Sequence, residues 1–143
     1  MNILVSSCLL GLDCRYSGDS CFSESVAELS KTHTLIPVCP EQMGGLPTPR
    51  APLERIRGRV VDKEGRDFTA IVEKGAGEAM KLAGLFHCSH AITKSKSPSC
   101  GYKIIYDGTF SRHMVEGNGV LTEKLLAAGI EVTDENHLSR YLY

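Results

Sequence analysis

Residues 33–50 read "HTLIPVCPEQMGGLPTPR". The apolar run 33–38 is a short buried strand, and Pro40 ends it because proline supplies no donor to continue a ladder. Cys39 therefore sits at the end of a strand, on a rigid turn. The pattern recurs twice. "NILV" (2–5) is a strand that runs into a small polar turn carrying Cys8. "CSHAIT" (88–93) is a third strand, followed by the loop "KSKSPSCGY" with Cys100. Helical patterns separate the strands. In "CFSESVAELSKT" (21–32), Phe22, Val26 and Leu29 fall at helical spacing, with Ser23 as N-cap. "DFTAIVEKGAGEAMKLAGL" (67–85) is a long amphipathic helix, weakened by Gly75 and Gly77. "GNGVLTEKLLAAGI" (117–130) is a helix with a Gly129 stop before the strand "IEV" (130–132). Strands alternating with helices predict right-handed βαβ units. The expectation is one α/β domain over residues 1–143, with a mostly parallel sheet and helices on both faces.

Smaller pieces fill the remainder. Residues 55–69 contain a turn signal at Lys63–Gly65 and are expected to form a hairpin. "YKIIYDGTF" (102–110) reads as an extended piece turning at Asp107–Gly108, and "ENHLSRYLY" (135–143) as a short tail helix or a packed tail.

Sixteen basic residues stand against seventeen acidic ones, scattered along the chain. That balance argues against nucleic acid or a membrane surface as partner. No run approaches a membrane span, and the N-terminus has neither the basic flank nor the cleavage segment of a signal peptide. A cytoplasmic protein, monomeric or weakly dimeric, is expected.

Six cysteines are many for such a chain: Cys8, Cys14, Cys21, Cys39, Cys88 and Cys100. In a reducing compartment spare cysteines point to metal or catalysis rather than to a disulfide framework. In an open parallel sheet all strand carboxyl ends share one edge, where ligand sites gather. Cys8, Cys39 and Cys100 would meet there. Cys88, at the start of its strand, would lie at the opposite edge and is read as a small buried hydrophobe, as is Cys21. Three loop thiolates without a CxxC pair do not resemble a closed zinc knuckle. Soft sulfur donors suit zinc, copper(I) or an iron–sulfur cluster. Cuboidal clusters normally take four thiolates. Three would leave one iron open, and Cys14, six residues after Cys8, is the rival or fourth ligand.

The neighbours of these thiols fit a reactive pocket. Gly44 and Gly45 would let backbone approach a ligand, while Pro47 and Pro49 stiffen the loop. Glu41, two residues beyond Cys39, is a candidate acid–base group or an ion-pair partner of Arg50. Ser97 and Ser99 are candidates for substrate contact or for turn capping. Lys94, Lys96, Arg15 and Arg50 would balance a cluster's negative charge. The five histidines show no metal spacing, and the glycines of "GAGEAM" (75–80) fall inside a helix, which disfavours a dinucleotide site.

The segments "SSCLLGLDCRYSG", "PVCPEQMGGLPTPR", "KSKSPSCG" and "IYDGTF…GNGVLTEKLLAAGIEV" resemble, in the same order, those of the thiouracil desulfidase family of small bacterial proteins, in its stand-alone form. The resemblance implies a Rossmann-like domain holding a 4Fe–4S cluster on Cys8, Cys39 and Cys100, with the fourth iron free. It implies hydrolysis, without net redox, of the C=S bond of a thiolated pyrimidine such as thiouracil, with sulfide released. Glu41 of "CPE" and Ser99 of "SPSC" are then the candidates for proton handling. Two positions depart from the family pattern: Ser17 stands where Asp is frequent, with Asp19 two places later, and Lys96 stands where Arg is common. Lysine keeps the charge and loses the planar fork. A non-catalytic iron–sulfur or sulfide-transfer protein is the alternative, and a thiol redox protein using Cys8 and Cys14 is disfavoured by their spacing.

Overall fold

The computed structural model describes residues 1–141. Four parallel strands form the central sheet: β1 (Asn2–Ser6), β2 (Thr34–Val38), β5 (His90–Thr93) and β8 (Glu131–Asp134), in the order β2-β1-β5-β8. The register pairs Leu4 with both Ile36 and Ala91, and Ala91 in turn with Val132. Pro37 is tolerated because β2 is an edge strand, so one row of its backbone groups needs no ladder partner.

Alternation along β1 sends successive side chains to opposite faces. Leu4 packs with Ile36, Val38, Ala91 and Val132 under α3 (Thr69–Leu85) and α4 (Val120–Ala127). Ile3 and Val5 pack on the other face with Leu9, Ile92, Leu138 and Val26, which belongs to α1 (Glu24–Glu28). The expected parallel sheet with helices on both faces is present. No helix among the described residues is long and apolar enough to cross a membrane.

The Ser23 hydroxyl caps α1, accepting the Val26 N–H at 3.3 Å, and a 3-10 turn over Leu29–Lys31 continues the helix. Phe22, expected on the apolar face, is exposed. The Gly129 stop stands, with φ +78° just after α4.

Gly75 is better explained by packing than by helix propensity. A Cβ there would lie 1.6 Å from the carbonyl oxygen of Pro40, the first residue of α2 (Pro40–Met43). Gly44 behaves likewise, its absent Cβ falling 2.1 Å from the Ile71 carbonyl oxygen. It therefore serves the contact between α2 and α3, not the approach of a ligand.

The hairpin between the second strand and α3 turns elsewhere than expected. β3 (Glu54–Ile56) pairs antiparallel with β4 (Arg59–Val61) across Arg57–Gly58, both with positive φ. Lys63–Gly65 instead forms a separate turn folded over the buried Asp62 carboxylate, which accepts the Glu64 and Arg66 amides. The extended piece at 102–110 becomes β6 (Ile104–Tyr106), paired with β7 (Met114–Glu116), a strand the sequence reading lacks. Of the tail, Ser139–Tyr141 form one 3-10 turn; residues 142 and 143 lie outside the described residues.

Candidate active site

Sheet order decides where the site forms. β1 connects to β2 on one side, and the chain then crosses to β5 on the other, so strand order reverses between β1 and β5. That is where open α/β sheets bind ligands, beyond the strand carboxyl ends. The Ser6 hydroxyl, closing β1, accepts the Lys94 N–H at 2.9 Å and so ties the ends of β1 and β5 together. A cavity of about 270 Å³ opens above this junction. Its walls carry Cys8, Cys14, Cys39, Glu41 and Arg50 on one side and residues 94–98 on the other.

Each thiol is delivered by a local device. Cys8 lies in a 3-10 turn (Ser7–Leu10) continuous with β1 and closed by Gly11 at φ +93°. Cys39 is the N-cap residue of α2, with Pro40 in the first helical position. Cys100 lies in a loop clamped against the start of α4. There the Thr122 hydroxyl donates to the Cys100 carbonyl at 2.8 Å, and Gly119 packs so closely that a Cβ would lie 2.5 Å from the Cys100 nitrogen. Cys14 is buried on the loop after Gly11 and shares the cavity lining with Cys8 and Cys39, its carbonyl oxygen 3.8 Å from Cys39 Sγ. All six cysteines are free thiols. Cys88 lies just ahead of β5, at the opposite sheet edge, packed in the core beneath α3.

Cys14, Cys39 and Cys100 lie in surroundings that disfavour bare thiolates. Burial pushes Cys100 up to about 12, against weaker lowering by hydrogen bonds from Ser6 and Ser99. The hydrogen bond with Cys39 pulls Cys14 down, but contact with Cys8 and burial outweigh it and carry Cys14 to about 11. Cys39 is pushed up by its contact with Cys14 and by burial. A cation bound here must displace protons, and its charge would then compensate the thiolates.

Glu41 is the polar centre of the wall. Its Oε1 accepts the Arg50 Nε–H at 2.9 Å and its Oε2 accepts the Ser99 hydroxyl at 2.9 Å. Glu41 is ion-paired with Arg50, the second of its two expected roles, and it also faces the cavity. Arg50 also donates to the Pro47 and Cys14 carbonyls and to Thr48 Oγ1, so nearly all of its fork is committed to holding the loop. Ser97 caps the turn, accepting the Ser99 and Cys100 amides at 3.2 and 3.1 Å, and its hydroxyl lies 3.0 Å from Ser99 Oγ. Ser99 is only 3% exposed and reaches the cavity through Glu41 rather than from its surface.

The other cations divide. Arg15 pairs with Asp19 and lies over the Tyr16 ring at 5.2 Å. The Ser17 hydroxyl also donates to Asp19, so Asp19 anchors this turn. Lys94 is held by Glu135 at 2.8 Å, and Glu135 also accepts the Ser95 amide. Lys96, at φ +67°, lines the cavity and has no acidic partner among the described residues.

Tyr16, Leu53 and Tyr106 complete the lining and were not singled out from the sequence. Tyr16 lies inside the "CRYSG" stretch that also carries Cys14, which was the signal available. Tyr106 enters because the β6–β7 hairpin packs against β3, a contact no local pattern announces.

The 2-thiouracil desulfurase family profile matches residues 3–137. The protein YbbK of Bacillus subtilis (strain 168), described only as uncharacterized, is 39% identical over 150 aligned residues, covering 98% of this chain and 99% of that one. A solved structure of the 4Fe–4S-dependent thiouracil desulfidase TudS matches with a TM-score of 0.92 at 39% identity, over 98% of this chain and 94% of that chain. Sequence and architecture agree along almost the whole length, and this chain belongs to the 2-thiouracil desulfurase family.

Proposed function

We propose that this protein hydrolyses the C=S bond of a thiolated pyrimidine such as thiouracil to C=O, releasing sulfide, with Cys8, Cys39 and Cys100 holding a 4Fe–4S cluster. The observation that carries the reading is that the free thiols of Cys8, Cys14 and Cys39 and the Glu41 carboxylate line the strand-crossing cavity, while Ser99, buried next to Cys100 in the chain, donates to Glu41. Among the described residues no three His, Cys, Asp or Glu side chains are placed to hold a single metal ion. An all-thiol donor set beside a cavity of this size, with Lys96 on its lining and without an acidic partner among the described residues, fits a larger anionic cluster. When bound, such a cluster supplies a Lewis acid for the substrate's sulfur at the iron left without a protein ligand.

The chain's own groups handle the oxygen and the protons. Replacing sulfur by oxygen consumes one water and yields hydrogen sulfide, so no electrons are exchanged. Glu41 is the group placed to take a proton as water adds to the carbon. Arg50 holds the carboxylate in place through Nε. Ser99, donating to the other carboxylate oxygen, fixes the plane of the group and can return a proton to the departing sulfur. Tyr16 and Tyr106 supply ring faces for a planar pyrimidine, and Lys96 a charge for its exocyclic oxygen.

The test is anaerobic reconstitution with iron and sulfide, followed by thiouracil, with uracil and sulfide both measured. Turnover that vanishes in Cys39→Ala supports cluster and reaction together. A loaded cluster without turnover on any thiopyrimidine would overturn the catalytic reading in favour of sulfide binding or transfer.

A further inference from the structure

Strand β3 carries two buried charged residues side by side, Glu54 and Arg55, and neither lines the cavity. Arg55 pairs with Glu123 and donates to the Asn118 carbonyl at 2.7 Å. Glu54 forms no ion pair among the described residues. A carboxylate taken out of water without a cation needs other donors. Two backbone amides serve: Glu54 Oε1 accepts the Gly108 N–H and the Phe110 N–H, both at 3.1 Å.

Those amides belong to the loop that joins β6 to β7. The loop carries Gly108, Phe110 and Arg112 at φ +92°, +58° and +64°, a region that only glycine adopts freely. Bonds within the loop shape it: Asp107 Oδ1 accepts the Thr109 amide and the Asp107 amide donates to the His113 carbonyl, each at 2.9 Å. Neither bond fixes the loop to the rest of the molecule. Glu54 does so, and Gly108 lets the loop come close, since a Cβ there would lie 2.6 Å from Ile56 Cβ. The consequence reaches the cavity through Tyr106, which ends β6 two positions before Gly108 and lies in the lining. Leu53, immediately before Glu54, lines the cavity as well. The Glu54 carboxylate thus sets where Tyr106 stands relative to Leu53.

We propose that Glu54 is a positioning residue that holds Tyr106 at the cavity and so sets the affinity for a planar thiolated pyrimidine without touching it. The inference rests on the substrate reading above, in which the Tyr106 ring lies against the base. A ring contact of that kind is the same before and during the reaction. Its loss removes binding of substrate and transition state alike, which raises KM and leaves kcat standing.

The test compares the parent with Glu54→Ala, Glu54→Gln, Tyr106→Ala and the Glu54→Ala/Tyr106→Ala double variant, all reconstituted anaerobically with iron and sulfide. Iron per chain, KM and kcat for thiouracil, and amide hydrogen exchange over residues 107–113 are measured. Glu54→Ala is expected to keep the parental iron content and to exchange the loop amides faster. Its KM should rise about fivefold, the worth of one aromatic contact, with kcat within about twofold of the parent. Glu54→Gln, whose side-chain carbonyl still accepts both amides, should stay close to the parent. The double variant should bind no more weakly than Tyr106→Ala alone, because Glu54 acts through the ring; a general structural loss would add to it. An unchanged KM in Glu54→Ala, or additive losses in the double variant, would overturn the proposal. If Glu54→Ala does not fold, Glu54→Asp, which keeps the charge but retreats by one methylene, must show the same rise in KM to a smaller degree or the proposal fails. A parent that turns over no thiopyrimidine sinks the substrate reading and this inference with it, whereas an active parent with an unaffected Glu54→Ala sinks the inference alone.

Discussion

At the scale of single residues the site hangs on Arg50. It spans the Glu41 carboxylate, two backbone carbonyls and Thr48, and it is 6% exposed at its side chain. Removing one partner of a buried pair leaves the other charge uncompensated, at a cost of about 3–5 kcal/mol. Arg50→Ala should therefore lose several kcal/mol of stability in urea unfolding, and Arg50→Lys should recover only part, since an ammonium cannot reproduce the fork. Glu41→Gln differs in kind. The amide keeps the shape and a hydrogen bond to Ser99 but takes up no proton, so turnover should fall at least about 100-fold, the usual worth of a general base, while iron content stays. Equal turnover in Glu41→Gln and the parent would remove Glu41 from the chemistry. Sequence alone suggested Glu41 and Ser99 separately. That they share a hydrogen bond across 58 positions depends on the fold and on nothing local.

At the scale of elements, the approach of α3 to α2 sets the direction in which Cys39 and Glu41 are presented. Two glycines of α3 separate the possible reasons for glycine in a helix. Gly75 faces the Pro40 carbonyl with no room for a Cβ, whereas Gly77 has nothing within 4 Å. Gly77→Ala should stabilise by about 0.5–1 kcal/mol through helix propensity alone. Gly75→Ala gains the same propensity and loses more to overpacking, roughly 1–3 kcal/mol, so its thermal midpoint should fall. If both substitutions raised the midpoint, the close contact would not limit the packing. Periodicity found α3 and the four parallel strands because each is a run of ordinary hydrophobic pattern. It missed the Arg57–Gly58 turn because an arginine at positive φ carries no signature of its own, while Lys63–Gly65 nearby offered a better-looking one. It missed β7 because Met114–Glu116 is exposed throughout and so has no buried face to generate alternation.

Across the whole molecule, the cavity is closed by a contact between distant parts of the chain. Glu135, just beyond β8, accepts from the Lys94 ammonium at 2.8 Å, the Ser95 amide at 2.8 Å and the Ser95 hydroxyl at 2.9 Å. Lys94 thus holds the far wall in place instead of serving as free charge for a cluster. Burial alone would raise the Glu135 carboxyl, but the hydrogen bonds and charge of Lys94 outweigh it and leave it below its ordinary value. The sign follows. Above the ordinary carboxylate value of 4.5, folded and unfolded chains both carry the charge, and the folded one gains these bonds in full. As pH falls through 4.5 the unfolded chain takes up its proton first, and this share of stability declines until the folded carboxyl titrates as well. Glu135→Gln should accordingly be less stable than the parent at pH 7, with the gap between their urea midpoints narrowing as the pH drops below about 4.5. A gap constant from pH 7 to pH 3.5 would mean that shape, not charge, holds the wall. Since the same contact sets where residues 94–98 stand across from the thiols, Glu135→Gln should also raise KM more than it lowers kcat.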